Sequence, residues 1–343
     1  MSVLGLGAMG RRHARVLASL PDRFELVGAY DPRADLPWLD PVPRLATEAE
    51  AVARAELVVV ATPTQAHGAT LARALSAGRH VLVEKPLCAT FAEAQTVATA
   101  FARSQAKLFV GHSERFNPVV RALARLLRHE RVVAIDLHRA GPSRSTDCGV
   151  LVNLGVHDFD LAAYLGGGAL TLHASLGTAS AAHVLFNTAG GAVGHLYVDG
   201  SATAKRRAIA VVTPRWAYHG DLLEPRLVRS ARTPPGALAP PQARCSRPGA
   251  ARCTSEVPLP LDEPLLVQAT ALADALDGAG CRFRPRSPGT SSSTPPRKRA
   301  GGGDAPFREI ATGADGARAV EIAELAGAAC ATAAEKLSLF ARP

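Results

Sequence analysis

The sequence predicts an α/β protein of two domains: a doubly wound parallel sheet first, then an α+β domain on a mostly antiparallel, open-faced sheet. Three observations predict it. Residues 3–20, VLGLGAMGRRHARVLASL, run strand, glycine turn, helix. Short apolar, β-favouring runs then alternate with helical stretches as far as about residue 112, the pattern of strands covered on both faces. Beyond residue 130 the pattern becomes wet-and-dry alternation over short segments divided by small-residue turns. The boundary falls at 1–122 for the first domain and 123–340 for the second, and 343 residues suffice for a sizeable core in each.

The opening turn has Gly5, Gly7 and Gly10 in GxGxxG spacing, with Ala8 and Met9 between the last two. Gly5 permits the tight turn, Gly7 lets backbone approach a pyrophosphate, and Gly10 allows helix to pack closely on strand. The helix N-terminus then offers unpaired N–H groups to a diphosphate. The next strand, FELVGAYD, ends in Asp31, about twenty residues on, as a ribose-binding acid should. Its carboxylate would accept from both ribose hydroxyls and repel a 2′-phosphate, so the combination predicts NAD over NADP. Arg33 qualifies this, because a nearby arginine can accept that phosphate.

LVVVATP, HVLVEKP and KLFVGH read as further parallel strands, with helices over 66–77 and 90–104 between them. Ligands bind beyond the carboxyl ends of such strands. Three ends carry chemistry there: Thr62-Pro63, Glu84-Lys85-Pro86 and Gly111-His112. Lys85 follows a β-favouring run and precedes a proline that denies the strand another amide donor, so it is held on the ligand side. In GHSERFNPVVRALARLL, Pro118 starts a helix, and Arg115 and Asn117 would face the same crevice or else cap and brace the loop.

In the second half, RVVAIDLHRA, TLHASLG, AHVLFNTAG, AVGHLYVDG and RRAIAVVTP predict strands. Before the last four lies LVNLGVHDFDLAAYLGGG, residues 151–168, where Asn153, His157, Asp160 and Tyr164 recur at helical spacing on one face. The helix is predicted over 153–165, near the junction with the first domain. Further helices are expected at DEPLLVQATALADAL and ADGARAVEIAELAGAACATA. Residues 230–257 and 281–305 are basic, Pro-rich and aperiodic, which predicts disorder or long exposed loops.

A dinucleotide turn beside a second sheet domain implies hydride transfer between them, with the protein left to place the substrate and manage one proton. Oxidising a secondary alcohol needs a base near neutral pKa, and His157 is the candidate. Lys85 would favour a developing alkoxide and depress the histidine's pKa. Asp160 would orient the imidazole or bind sugar hydroxyls, and Asn153 can only hydrogen-bond or cap. The competing reading makes Asn153 a helix cap and His157 a satisfied core histidine.

GLGAMG at the start, VLVEKP at 81–86 and NLGVHDFDLAAYLGG at 153–167 resemble the glucose–fructose oxidoreductase, inositol dehydrogenase and MocA family. The resemblance covers roughly 1–225, 259–280 and 314–335. It implies a Rossmann domain first, Lys85 and His157 as the catalytic pair, and cofactor contacts from the glycine loop, Asp31, Thr62, Pro63, His67 and Glu84. The family often carries aspartate four residues before the histidine, where this chain has Asn153. VGHSERFNPVV at 110–120, with LGVHDFDL, is similar to bacterial UDP-N-acetylglucosamine 3-dehydrogenases, which oxidise the sugar's 3-hydroxyl on the route to amide-linked lipid A. That likeness implies a UDP-sugar substrate, with Arg115 a candidate for its diphosphate. Another sugar or inositol dehydrogenase of this family is the alternative, and a non-catalytic NAD-binding sensor or structural protein is the alternative of another class. Association into a homodimer or homotetramer through the exposed sheet face is implied as well.

Composition bounds the rest. With 47% hydrophobic and 20% charged residues the chain is not predominantly disordered. Its six cysteines form no metal-ligand spacing, so no metal is assigned, and reduced thiols in the cytoplasm are expected. The absence of a leader-like start and of a long apolar run predicts neither secretion nor a membrane span. The net charge is +9, but 225–255 and 281–299 hold twelve cations and no acid, leaving the remainder at −3. Basicity therefore belongs to two irregular stretches, which makes nucleic-acid binding an unneeded explanation.

Overall fold

The computed structural model describes residues 1–33, 35–143, 149–232, 254–278 and 310–340, with side chains through residue 331. The first domain runs β1 (Ser2–Leu4), α1 (Ala8–Ala18), β2 (Gly28–Tyr30), α2 (Glu48–Arg54), β3 (Leu57–Val60), α3 (His67–Ser76), β4 (His80–Glu84), α4 (Phe91–Ala102) and β5 (Leu108–Gly111). These strands pair in parallel, and their sheet has the order β5-β4-β3-β1-β2, the doubly wound arrangement. The LVVV run of β3 is wholly buried, which is why it lacks any alternation. Helix α2 escaped the sequence reading. It is short, and its signal is a cap: Thr47 accepts from the Glu50 N–H at 3.0 Å while the Glu50 carboxylate accepts from Ala46 N at 2.8 Å.

A sixth strand comes from far along the chain. After α5 (Pro118–Leu126), β6 (Ala134–Ala140), α6 (Val156–Gly166), β7 (Leu170–Gly177), β8 (Ala181–Thr188), β9 (Val193–Asp199), β10 (Arg206–Val212), β11 (Trp216–Asp221), β12 (Arg226–Ala231), β13 (Thr254–Glu256) and α7 (Pro264–Gly278), the chain forms β14 (Ala311–Thr312) and then α8 (Gly313–Phe340). Strand β14 lies antiparallel on β5, at the edge of the first sheet. Helix α7 returns to the first domain too, burying Leu265, Ala269, Leu272 and Leu276 with Met1, Val3 and Leu17. A division at residue 122 therefore crosses both the first sheet, through β14, and the first core, through α7. Helix α8 serves both, with Ala317 and Val320 in the first core and Ile322 and Ala326 in the second.

The second sheet has the order β13-β12-β11-β10-β6-β9-β8-β7. All neighbours are antiparallel except β6 and β9. One face packs on α6 and α8, and Val184, Phe186, Leu196, Val198 and Ile209 line it. The other face is open and shows Leu176, Leu185 and Val193, 56%, 48% and 58% exposed. Three strands, β11 to β13, were not anticipated. The stretch 230–257, expected to be irregular, starts inside β12 and ends beyond β13. The interior of that stretch, 233–253, and all of 281–305 lie outside the described residues.

The helix expected over 153–165 differs at its start. Residues Leu151–Gly155 form a π turn, and the α-helical part begins at Val156. A wide turn of this kind displaces the residues after it relative to a regular helix, and such turns are common at functional sites. Gly167, with φ 84°, ends α6 in the left-handed conformation that glycine accepts without penalty.

Candidate active site

The glycine turn meets its steric requirements. A Cβ on Gly10 would lie 1.8 Å from the Gly5 carbonyl oxygen, and one on Gly5, at φ +84°, would lie 2.6 Å from the Ala61 oxygen. Gly7 is different, for nothing lies within 4 Å of its Cβ position. That open space sits at the N-cap of α1, where no side chain caps the helix and no acid occupies the first turn. The N–H groups of Ala8, Met9 and Gly10 start that helix, so the donor set fits a dinucleotide diphosphate.

Asp31 is buried at the end of β2, with one carboxylate oxygen 2.7 Å from Leu6 N. Arg33 closes on the same carboxylate through Nε at 2.9 Å and Nη2 at 2.7 Å. This side-chain bond, against the cost of burial, holds the Asp31 acid well below the usual carboxylate range.

The strand ends divide into tied and untied groups. Thr62 leaves its hydroxyl enclosed and without a hydrogen-bond partner, as a ligand-facing group would be. Pro63 is exposed beside it. His67, implied as a cofactor contact, ties loops together. Its ring meets the carbonyl oxygens of Thr62 at 3.0 Å, Pro86 at 3.0 Å and Leu87 at 3.2 Å, and it is 1% exposed. Glu84 likewise faces inward, to His13 Nε2 at 2.7 Å. Burial would raise its carboxyl, but the His13 bond and the charges of His13 and Lys85 hold it below its ordinary value. His13 escaped the sequence reading, although it lies on the same buried face of α1 as Gly10 and Leu17.

Lys85 follows Glu84 and reaches across to the second domain. Its Nζ donates to the main-chain oxygen of Asn153 at 3.0 Å, inside the π turn. Asn153 thus meets the lysine through its backbone, while its side-chain amide donates to Ser143 Oγ at 2.8 Å. Four residues on, His157 keeps Nδ1 enclosed and unpartnered, although part of its ring reaches the surface. Burial first, then the charges of Lys85 and Arg139, hold this imidazole well below its ordinary value, so it is neutral at pH 7. His112, at the end of β5, stands edge-on to His157 with ring centroids 6.4 Å apart. It is 1% exposed, and neither of its ring nitrogens has a hydrogen-bond partner.

Three residues expected in the crevice are committed elsewhere. Arg115 and Asp160 form a buried two-point ion pair, Nε to Oδ2 at 2.8 Å and Nη2 to Oδ1 at 2.5 Å. The Arg115 guanidinium also lies 4.9 Å over the Tyr164 ring. Arg115 and Asp160 thus hold each other, and Asp160 also lies 3.8 Å from His112 Nδ1. Asn117 caps α5, accepting from Val119 N at 3.0 Å and donating to the Leu222 oxygen at 2.9 Å.

A second buried network was not foreseen. Arg139 binds Asp158 through Nε at 2.5 Å and Nη2 at 3.1 Å, and reaches Glu114 at 3.3 Å. Arg207 meets the same Glu114 oxygen at 2.7 Å. The signal was present in AIDLHRA: alternation puts Arg139 on the inward face with Ile135 and Leu137, and a buried guanidinium demands a carboxylate. Among the described residues no group of histidine, cysteine and acid is placed to hold a metal. No described helix is long and apolar enough to cross a membrane.

Comparison with known proteins agrees with this architecture, a dinucleotide-binding α/β domain joined to an open-sheet domain. Residues 1–112 match the model of the glucose–fructose oxidoreductase, inositol dehydrogenase and MocA oxidoreductase family, described as an NAD-binding Rossmann fold. A UDP-N-acetylglucosamine 3-dehydrogenase of Acidithiobacillus ferrooxidans is 28% identical over 185 residues, 48% of this chain and 53% of that protein. An inositol 2-dehydrogenase of Streptomyces avermitilis is 34% identical over 218 residues, 56% of this chain and 63% of that protein. These matches span about half of the curated relatives' length. In solved structures the likeness is longer but weaker in sequence. The A. ferrooxidans enzyme superimposes with TM-score 0.75 over 96% of both chains at 21% identity, which shows a shared fold.

Proposed function

We propose that this chain oxidises a secondary alcohol of a sugar, with NAD as the hydride acceptor. The carrying observation is the bridge from Lys85 to the turn that presents His157, because it brings a fixed cation and a neutral, unpartnered imidazole to the interdomain cleft. The bound nicotinamide supplies hydride acceptance. His157 takes the hydroxyl proton on Nε2, the ring nitrogen that is not enclosed. Lys85 stabilises the oxygen as its negative charge grows and keeps the histidine neutral beforehand. Gly5, Gly7, Ala8, Met9 and Gly10 receive the diphosphate, Asp31 the adenine ribose, and Thr62, Pro63 and His112 the nicotinamide side. His67 and Glu84 position that wall rather than touch the cofactor.

The favoured substrate is UDP-N-acetylglucosamine, oxidised at its 3-hydroxyl, and the A. ferrooxidans relative supports it. Arg207, which also meets Glu114, is the more accessible guanidinium for an anionic substituent, being 37% exposed where Arg115 is buried, and it is among the charges acting on His157. A cyclitol is the second reading, favoured by the S. avermitilis relative at 34% identity. A homodimer or homotetramer formed through the open sheet face belongs to the same proposal, supported by Leu176, Leu185 and Val193.

The test is a panel of UDP-sugars, free sugars and inositols with NAD and with NADP, followed by NADH or NADPH absorbance. Turnover with UDP-N-acetylglucosamine and NAD is expected. Turnover confined to inositols moves the substrate, and tight NAD binding without turnover on any alcohol ends the enzyme reading. Light scattering on the same sample checks assembly.

A further inference from the structure

Helix α5 and the 3-10 turn after it, Leu127–His129, carry a feature that dehydrogenase chemistry does not use. Their sequence, PVVRALARLLRH, contains Arg121, Arg125 and Arg128 and no acid. The spacing of four and three puts the arginines on one face, opposite the buried Val119, Val120 and Leu123. Like charges at these spacings repel along a helix. Arg121 is relieved by Asp262 at 2.9 Å. Arg125 and Arg128 have no carboxylate within ion-pair distance among the described residues, which leaves two uncompensated cations side by side.

The face is not flat. Arg115, Phe116, Arg121, Arg125, Arg128 and Tyr164 line a shallow, open cleft of about 30 Å³. That is room for one or two water-sized atoms, so a ligand would seat an oxygen or two and lie mostly on the open surface. Its floor is stiff, for the Arg115 plane is stacked on Tyr164 and pinned by Asp160. Guanidinium forks match phosphate oxygens two at a time. Arg125 and Arg128 stand about one turn apart, roughly 4.5 Å along the axis, close enough for two long side chains to converge on one anion.

We propose that Arg121, Arg125 and Arg128 form a binding site for a small anion bearing one or two phosphoryl groups, separate from the cofactor cleft. Two unpaired cations match a ligand of two negative charges. Charge alone would attract any polyanion, but the cleft favours a ligand compact enough to enter it.

Calorimetric titration of the full chain with inorganic pyrophosphate and with inorganic phosphate, at near-physiological salt, tests this. A titration with NAD alone comes first, and NAD is then kept present so that the glycine turn is taken. One pyrophosphate or phosphate per chain is expected. Replacing both exposed arginines (Arg125→Gln, Arg128→Gln) should weaken it by roughly tenfold or more. The paired control Arg54→Gln with Arg103→Gln should leave it unchanged, and the melting midpoint of either variant should stay near that of the parent. The proposal is overturned by absence of binding in the parent, by equal loss in the control, or by affinity indifferent to Arg125 and Arg128. It is equally overturned if only a single-stranded oligonucleotide binds in an Arg125- and Arg128-dependent way.

Discussion

Two neighbouring parts of α6 treat buried polar groups in opposite ways. At its start His157 has an enclosed nitrogen with nothing to bond to, and His112 beside it has two. One and three residues further, Asp158 and Asp160 are more deeply buried, yet each is gripped by its own guanidinium at two points. A polar group inside a protein costs free energy unless it is paired. The paired aspartates therefore belong to the scaffold, while the unpaired imidazoles are where a missing partner, a substrate or cofactor, is to be sought. What separates the two classes is satisfaction, not polarity or burial.

That contrast can be broken, and the largest effect sits at its unpaired end. His157→Ala should lower turnover about a thousandfold while leaving NAD affinity and the melting midpoint unchanged. Turnover within tenfold of the parent, measured at saturating NAD, would remove His157 from the chemistry. At the paired end, Arg139→Ala strands Asp158 without its cation and leaves Glu114 to Arg207 alone, and it should cost about 3 kcal/mol or more of stability, read by denaturant unfolding. A variant as stable as the parent would show the network to be ornamental.

The next effect is on pH. Burial holds His67, His112 and His157 below their ordinary values, so the unfolded chain takes up protons first as pH falls. Stability should be fully present above about pH 6.5 and decline below it, by up to about 1.4 kcal/mol per unit for each histidine. Repeating the unfolding curves with His112→Phe should shallow that slope, and an unaltered slope would exonerate His112. The smallest effect is expected at Asn117→Ala, which loses a helix cap and one buried bond, about 1 to 2 kcal/mol. It should not change kcat, whereas a substrate-binding residue would shift KM.

How much of this was legible depends on how far apart the interacting residues stand. The glycine turn, Asp31 and the Lys85 strand end were readable because each is a local backbone requirement. The partner of Arg115 was not readable, because it is Asp160, 45 residues away, and no local pattern announces it. The stripe of Asn153, His157, Asp160 and Tyr164 was visible as a stripe, but the π turn and the choice of partner split it between the cleft and the scaffold. Strands β11 to β13 were hidden for another reason. They are short and polar on one side, and β13 rejoins the sheet only after a proline-rich interval that carries no periodic signal.

The return of β14 and α7 to the first sheet bears on the protein's birth at the ribosome. When the first 122 residues have emerged, β5 is an open edge, and the hydrophobic surface later covered by Leu265 and Leu272 faces water. The edge and the apolar cover of the first sheet are supplied only by residues 264–312. A fragment ending there keeps that edge and that apolar surface in water, and is expected to self-associate.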